Sequence, residues 1–193
     1  MNLQNTKVEN QEIVISDGTI FNAIGPNVTL ENCVIKCSVP AKSISIQGRF
    51  YNCKFIVEKP LNNFSWLDVK FEHCSFHGLL KSNEFGSLPK HSGYTRACDF
   101  SEAFLQDCVF YGNDCASNFY PKWPIFTVEK CEQHIVLLHD SNDDILIEIA
   151  DSLDDYDDSL GAICFNAETF SKELGVTSEN IKNSLKLVDF IKF

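Results

Sequence analysis

No apolar run in this sequence approaches the roughly 18 residues that cross a bilayer, and Met1 to Asn10 is polar, without the apolar core of a signal peptide. A soluble, cytoplasmic chain is expected. Nor is there a Cys-x-x-Cys pair among the nine cysteines. An odd count without that spacing argues against a secreted disulfide framework and against a zinc ribbon. The thiols are expected to stay reduced and to pack as small buried groups. Clusters of Lys and Arg are also missing, so a chain of net charge −11 is a poor match for nucleic acid or an anionic membrane. Gly-x-Ser-x-Gly, Gly-x-x-x-x-Gly-Lys and His-Glu-x-x-His do not occur, which leaves no nucleophile elbow, phosphate cradle or zinc-protease helix to build an enzyme on.

What the sequence does contain is a period of five. From Cys98 to Asp114 three consecutive blocks begin with a small residue, Cys98, Ala103 and Cys108, and carry a large apolar residue third, Phe100, Leu105 and Phe110. Neither a helix nor a flat strand repeats that way, since their periods are 3.6 and 2. A chain that turns a corner every five residues does. Upstream the pattern apolar, any, polar, Cys, any, apolar recurs around Cys33, Cys53, Cys74 and Cys108, at gaps of 20, 21 and 34 residues. Twenty residues make one turn of a square coil, stacking equivalent positions at about 4.8 Å. These four cysteines are therefore expected in one column, and the long last gap is expected to hold a loop within Leu79 to Arg96.

The blocks resemble those of pentapeptide-repeat proteins, Cys98-Asp99-Phe100-Ser101-Glu102 most closely, with Phe104 and Val109 departing from the usual Asp or Asn. The resemblance spans roughly residues 20 to 118. It implies a mainly β fold, a right-handed quadrilateral parallel β-helix over 1–118, with a small α or α/β cap over the acidic remainder, 119–193. Tyr120-Pro-Lys-Trp-Pro is expected to cover the open end of the coil, with Trp123 as a core plug. A similar Pro-Lys-Trp-Pro follows such coils in bacterial proteins, some of which look like immunity proteins of contact-delivered toxins.

Charge divides at the same boundary. Residues 1–120 carry 10 basic against 12 acidic side chains, and residues 121–193 carry 6 against 15. Within the tail, Ile135 to Leu138 and Ile145 to Ile149 flank an acidic linker and read equally as a hairpin or as two short helical segments. Ser152 to Ser159 reads as an acidic loop. Asn166 is expected to cap a helix over Ala167 to Leu174 that Gly175 stops, and Thr177 or Ser178 to cap another running toward Leu187. Asp140, Asn142, Asp144 and Asp151 match several positions of a calcium loop, but Ile145 stands where a glycine must make the turn. His73, Cys74 and His77 crowd one corner, yet in the coil Cys74 points in and His77 out, so no metal is assigned. Asp68, Glu72 and Asp107 could pair across turns as carboxylates in a sugar-cleaving β-helix. Nothing singles them out.

By elimination the chain reads as a non-catalytic binding protein without a cofactor. The expected function is an immunity protein whose acidic segment, Asp140, Asp143, Asp144, Asp151, Asp154, Asp155, Asp157 and Asp158, docks a basic toxin domain. Phe85, His91, Tyr94 and Arg96 form a second candidate contact in the expected loop. The alternatives are a DNA mimic acting on topoisomerases, which wants acid along the coil, and a structural scaffold.

Overall fold

The computed structural model describes residues 1–88 and 91–193. Parallel strands wind into a solenoid of about five turns, two of whose sheets contain five strands each. One side stacks Thr6–Glu9, Val28–Glu31, Gly48–Tyr51, Val69–Glu72 and Tyr94–Arg96. The next stacks Glu12–Ile15, Val34–Cys37, Lys54–Asn62, Ser75–Lys81 and Ala103–Gln106. A further side carries Asn2–Leu3, Asn22–Ile24 and Ile44–Ile46, and in the later turns Ser65–Trp66, Glu84–Gly86 and Cys108–Tyr111. The fourth side emerges where Ser75–Lys81 bends at Gly78: residues up to the bend pair with Lys54–Val57, and beyond it Leu80 and Lys81 pair with Leu61 and Asn62 of the preceding turn, while Gly78 to Lys81 pair with Ala103–Gln106 of the following one. Gly78 has φ of +103°, and a Cβ there would lie 2.0 Å from the Val57 carbonyl oxygen. Only glycine fits that corner.

At many other corners the residue is asparagine. Asn5, Asn10, Asn27, Asn32, Asn52 and Asn63 all have φ between +49° and +56°. Asparagine tolerates this left-handed region because its short amide can bond locally. The polar residue that precedes each repeated cysteine is thus the bend itself. His73, Ala97 and Asp107 occupy the same conformation.

Inside, the ladder stacks like on like. Leu30, Phe50 and Phe71 are in register on one side, and Ile13, Ile35, Phe55 and Phe76 on the next. Phe76 lies parallel to Phe55 at 5.1 Å and to Phe100 at 4.4 Å between ring centroids. The small inward residue of each turn has a second role. Cys53 donates its thiol to the Leu30 carbonyl at 3.4 Å and Cys74 to Phe50 at 3.3 Å, each one turn back. A cysteine is small enough for the tight corner and still supplies a weak donor.

The column of cysteines differs from the expected one at its last member. Asp99 donates to the Cys74 carbonyl at 2.8 Å, so Cys98 follows Cys33, Cys53 and Cys74, while Cys108 opens another side and donates to Leu80. The expected loop is correspondingly shorter. Leu79 to Lys81, Glu84–Gly86 and Tyr94–Arg96 are all strand. Spacing alone could not separate an enlarged corner from an inserted turn.

Past the coil, Ile125–Glu129, Leu160–Asn166 and Ile191–Lys192 form antiparallel strands, and Leu160–Asn166 also pairs with Cys108–Tyr111. The cap thereby continues a side of the coil. Tyr120, not Trp123, closes the coil's core: its ring centroid lies 5.2 Å from that of Phe110 and its hydroxyl donates to the Cys115 carbonyl. Trp123 is half-buried in the cap, edge-on to Phe193 and beneath Lys182. Four helices cover the cap's strands, α1 (Cys131–His139), α2 (Asp144–Asp154), α3 (Ala167–Leu174) and α4 (Ser178–Leu185). They bury Leu138, Leu146, Ile149, Leu153, Phe170 and Ile181 against Phe126, Ile163 and Phe165 in a second core. Asn166 caps α3, Gly175 ends it at φ of +68°, and Thr177 caps α4, as the sequence indicates. Among the described residues no helix is long and apolar enough to cross a membrane.

Candidate functional site

The acidic segment 140–158 holds nine carboxylates and no Lys or Arg. Of the two expected forms it takes the helical one. Asp143 starts α2, its Oδ1 accepting the backbone N–H of Ile145 at 3.0 Å and of Leu146 at 3.1 Å. Its Oδ2 accepts the Ser184 hydroxyl at 2.9 Å, which ties α2 to α4. Asp143 is therefore committed to the fold. Leu146, Ile149, Ala150 and Leu153 fill the buried face of α2. Asp144, Glu148, Asp151 and Asp155 recur at intervals of four, three and four on the opposite face, all exposed. At 1.5 Å per residue they form a stripe about 16 Å long.

The remaining acids flank this stripe. Asp154 is exposed in the last turn of α2, so the expected loop from Ser152 begins only after it. Asp140 follows α1 directly, and Asp157 turns its Oδ1 back to the Ser159 N–H at 2.9 Å. Asp158 is exposed. Residues Asp144–Asp154 are helix rather than the ligand-bearing loop that a calcium site over 140–151 would need. Instead Asp151 and Asp154 meet His139 at the end of α1, at 3.7 Å from its Nδ1 and 3.1 Å from its Nε2. Sequence reading missed this group because the packing of α1 on α2 assembles it.

The second expected contact divides. Phe85 is fully buried, stacked 5.6 Å from Trp66 and 4.8 Å from Phe110, and is corrected from contact to core. Two-residue alternation from Glu84 turns it inward. Tyr94 and Arg96 do face outward. Arg96 donates to Asp114 at 3.0 Å, lies 3.9 Å from Glu72 and sits 4.7 Å over the Tyr94 ring. His91 reaches Asp68 at 3.2 Å, beside an open groove of about 590 Å³ lined by Arg49, Lys70, Gln47 and Ser92. Arg49 and Lys70 stand in register on adjacent turns, at the same 21-residue separation as Phe50 and Phe71.

The candidate carboxylates have separate surroundings. Asp68 has His91, Glu72 has Arg96, and Asp107 sits at its own corner with a carboxyl that burial raises. All nine thiols are free and buried. Burial pushes those of Cys108, Cys115 and Cys131 up to about 12. A hydrogen bond with Cys74 holds the Cys98 thiol lower, but Cys98 is fully enclosed. Reactive thiolates need access as well as a low pKa. The cap thus presents an exposed acidic surface along α2. No family model matches the chain, and no curated protein matches it in sequence.

Proposed function

We propose that this chain is a non-catalytic binding protein, an immunity-type inhibitor that lays the acidic face of α2 against a basic surface of a toxic partner. The observation that carries this reading is the stripe of Asp144, Glu148, Asp151 and Asp155, held in place by the buried face of the same helix. A helix already folded orders no backbone on binding, and the shared field of its carboxylates speeds the encounter with a basic partner. A partner that itself acts on nucleic acid would present such a surface. The nine unpaired thiols fit a reducing, cytoplasmic setting. We further read the solenoid as a degenerate pentapeptide-repeat coil, on the five-residue spacing of its inward residues. The DNA-mimic alternative is less well supported, because the coil's outer ladders mix charge, as where Lys7 bridges Glu9 and Glu31.

The test is co-expression of the tagged chain with the product of the neighbouring gene. A partner that is toxic alone, and silenced in a stoichiometric complex, is the expected result. Changing Asp144→Asn, Glu148→Gln and Asp155→Asn together is expected to weaken the complex at least tenfold and to flatten its salt dependence. Unchanged affinity would move the contact away from α2.

A further inference from the structure

The two ends of the coil differ. The C-terminal end is covered by the antiparallel strands and helices of the cap. At the other end Asn2–Leu3, Thr6–Glu9 and Glu12–Ile15 each pair on one side only among the described residues. Met1, Leu3 and Val8 pack on the core from this end but are only partly buried.

The backbone of Thr6–Glu9 fixes what can dock there. Asn10 donates its N–H to the Glu31 carbonyl at 3.0 Å, toward the second turn. The carbonyl of the same peptide unit, that of Glu9, therefore points the other way. In an extended residue the N–H follows its carbonyl, and orientation repeats every two residues. Lys7 and Glu9 consequently both present their backbone N–H and C=O to the open edge, while Thr6 and Val8 are spent on the second turn.

Lys7-Val8-Glu9 is self-complementary about its centre. A two-fold axis through Val8 sets this strand antiparallel to its copy, with Lys7 opposite Glu9 twice and Val8 opposite itself. Each Lys7 to Glu9 pair is then a hydrogen-bonded pair exchanging both backbone bonds, with opposite charges side by side. Shifting the axis to Lys7 or to Glu9 brings like charges together, so the charges select one register. The same rotation brings Asn2–Leu3 against Glu12–Ile15 of the copy and closes Met1, Leu3 and Val8 from water.

We propose that this end of the coil is a two-fold interface between two copies of the chain, with Thr6–Glu9 pairing antiparallel about Val8. An end of this kind offers a small contact, so association depends on concentration.

Sedimentation of the full chain over a range of concentrations tests it. Wild type is expected to pass from monomer to dimer. Lys7→Glu is expected to stay monomeric, and Lys7→Glu combined with Glu9→Lys to recover the dimer, because the swap restores both pairs. Lys7 also bridges Glu31. A second measurement therefore uses the unaltered chain: hydrogen exchange at the Lys7 and Glu9 amides is expected to slow as concentration rises. Wild type that stays monomeric throughout, a dimer indifferent to Lys7→Glu, or amides that exchange equally fast at all concentrations would overturn the proposal.

Discussion

Replacing Asn83 by leucine tests how the coil handles its buried polar atoms. Asn83 is fully buried, and its side chain makes three hydrogen bonds. The amide nitrogen donates to the carbonyls of Leu61 and Lys81, both at 2.8 Å, and the amide oxygen accepts the Trp66 indole N–H at 2.9 Å. Leucine has a similar volume, so no large cavity arises, and its apolar atoms gain about 1.5 kcal/mol on burial. Against this, the Trp66 N–H is left buried without a partner, at about 1–3 kcal/mol, and the carbonyls of Leu61 and Lys81, each still bonded in the ladder, lose a second bond worth about 0.5–1.5 kcal/mol apiece. The balance is a loss of roughly 0.5–4.5 kcal/mol, a sizeable share of the stability of a domain this size. Urea unfolding followed by tryptophan fluorescence reads it, with Trp66 inside the perturbed cluster as a reporter. In a Trp66→Phe background the indole donor is gone, so Asn83→Leu is expected to cost about 1–3 kcal/mol less. If Asn83→Leu unfolds within about 0.5 kcal/mol of wild type, the hydrogen bonds are not what fixes this corner, and the reasoning fails.

Other outcomes follow from single residues. Ala97 holds φ of +50° without an amide to ease it, so Ala97→Asn is expected to raise stability by about 1 kcal/mol in the same unfolding assay. Burial raises the Asp107 carboxyl above its ordinary 3.8, so the folded state binds the proton more tightly than the unfolded one. Folding at neutral pH therefore bears the cost of a half-buried charge, which falls away as pH drops through the raised pKa toward 3.8. Asp107→Asn, at a corner asparagine tolerates, should raise the melting temperature at pH 7 and leave it unchanged below pH 3.8. The nine enclosed thiols are expected to react with an aromatic disulfide reagent only after unfolding, and a fast-reacting thiol in the native protein would show that one of the corners opens.

Much of the coil is legible because its residues obey a local rule repeated at short range. Five-residue blocks fix which side chains face in, and a turn of about twenty residues fixes which ones stack, so Leu30, Phe50 and Phe71 could be placed over one another from spacing alone. Asn166, Gly175 and Thr177 likewise mark helix ends through bonds to their own neighbours. Where a turn changes length the rule loses phase. That is why Cys98 rather than Cys108 continues the column, and why Phe85, expected in a loop, lies in the core.

Sequence by itself determined the solenoid, its acidic cap and the buried thiols, because these follow from periodicity, composition and caps within a few residues. Tertiary structure decided what the surfaces offer. Ile145 to Ile149 suits strand or helix equally, and only its burial against Leu138, Ile163 and Ile181 makes it the inner face of a helix that turns four acids outward. Packing of α1 on α2, not spacing, brings His139 to Asp151 and Asp154. Hydrogen bonding toward the second turn, not any motif, leaves Lys7 and Glu9 facing an open edge.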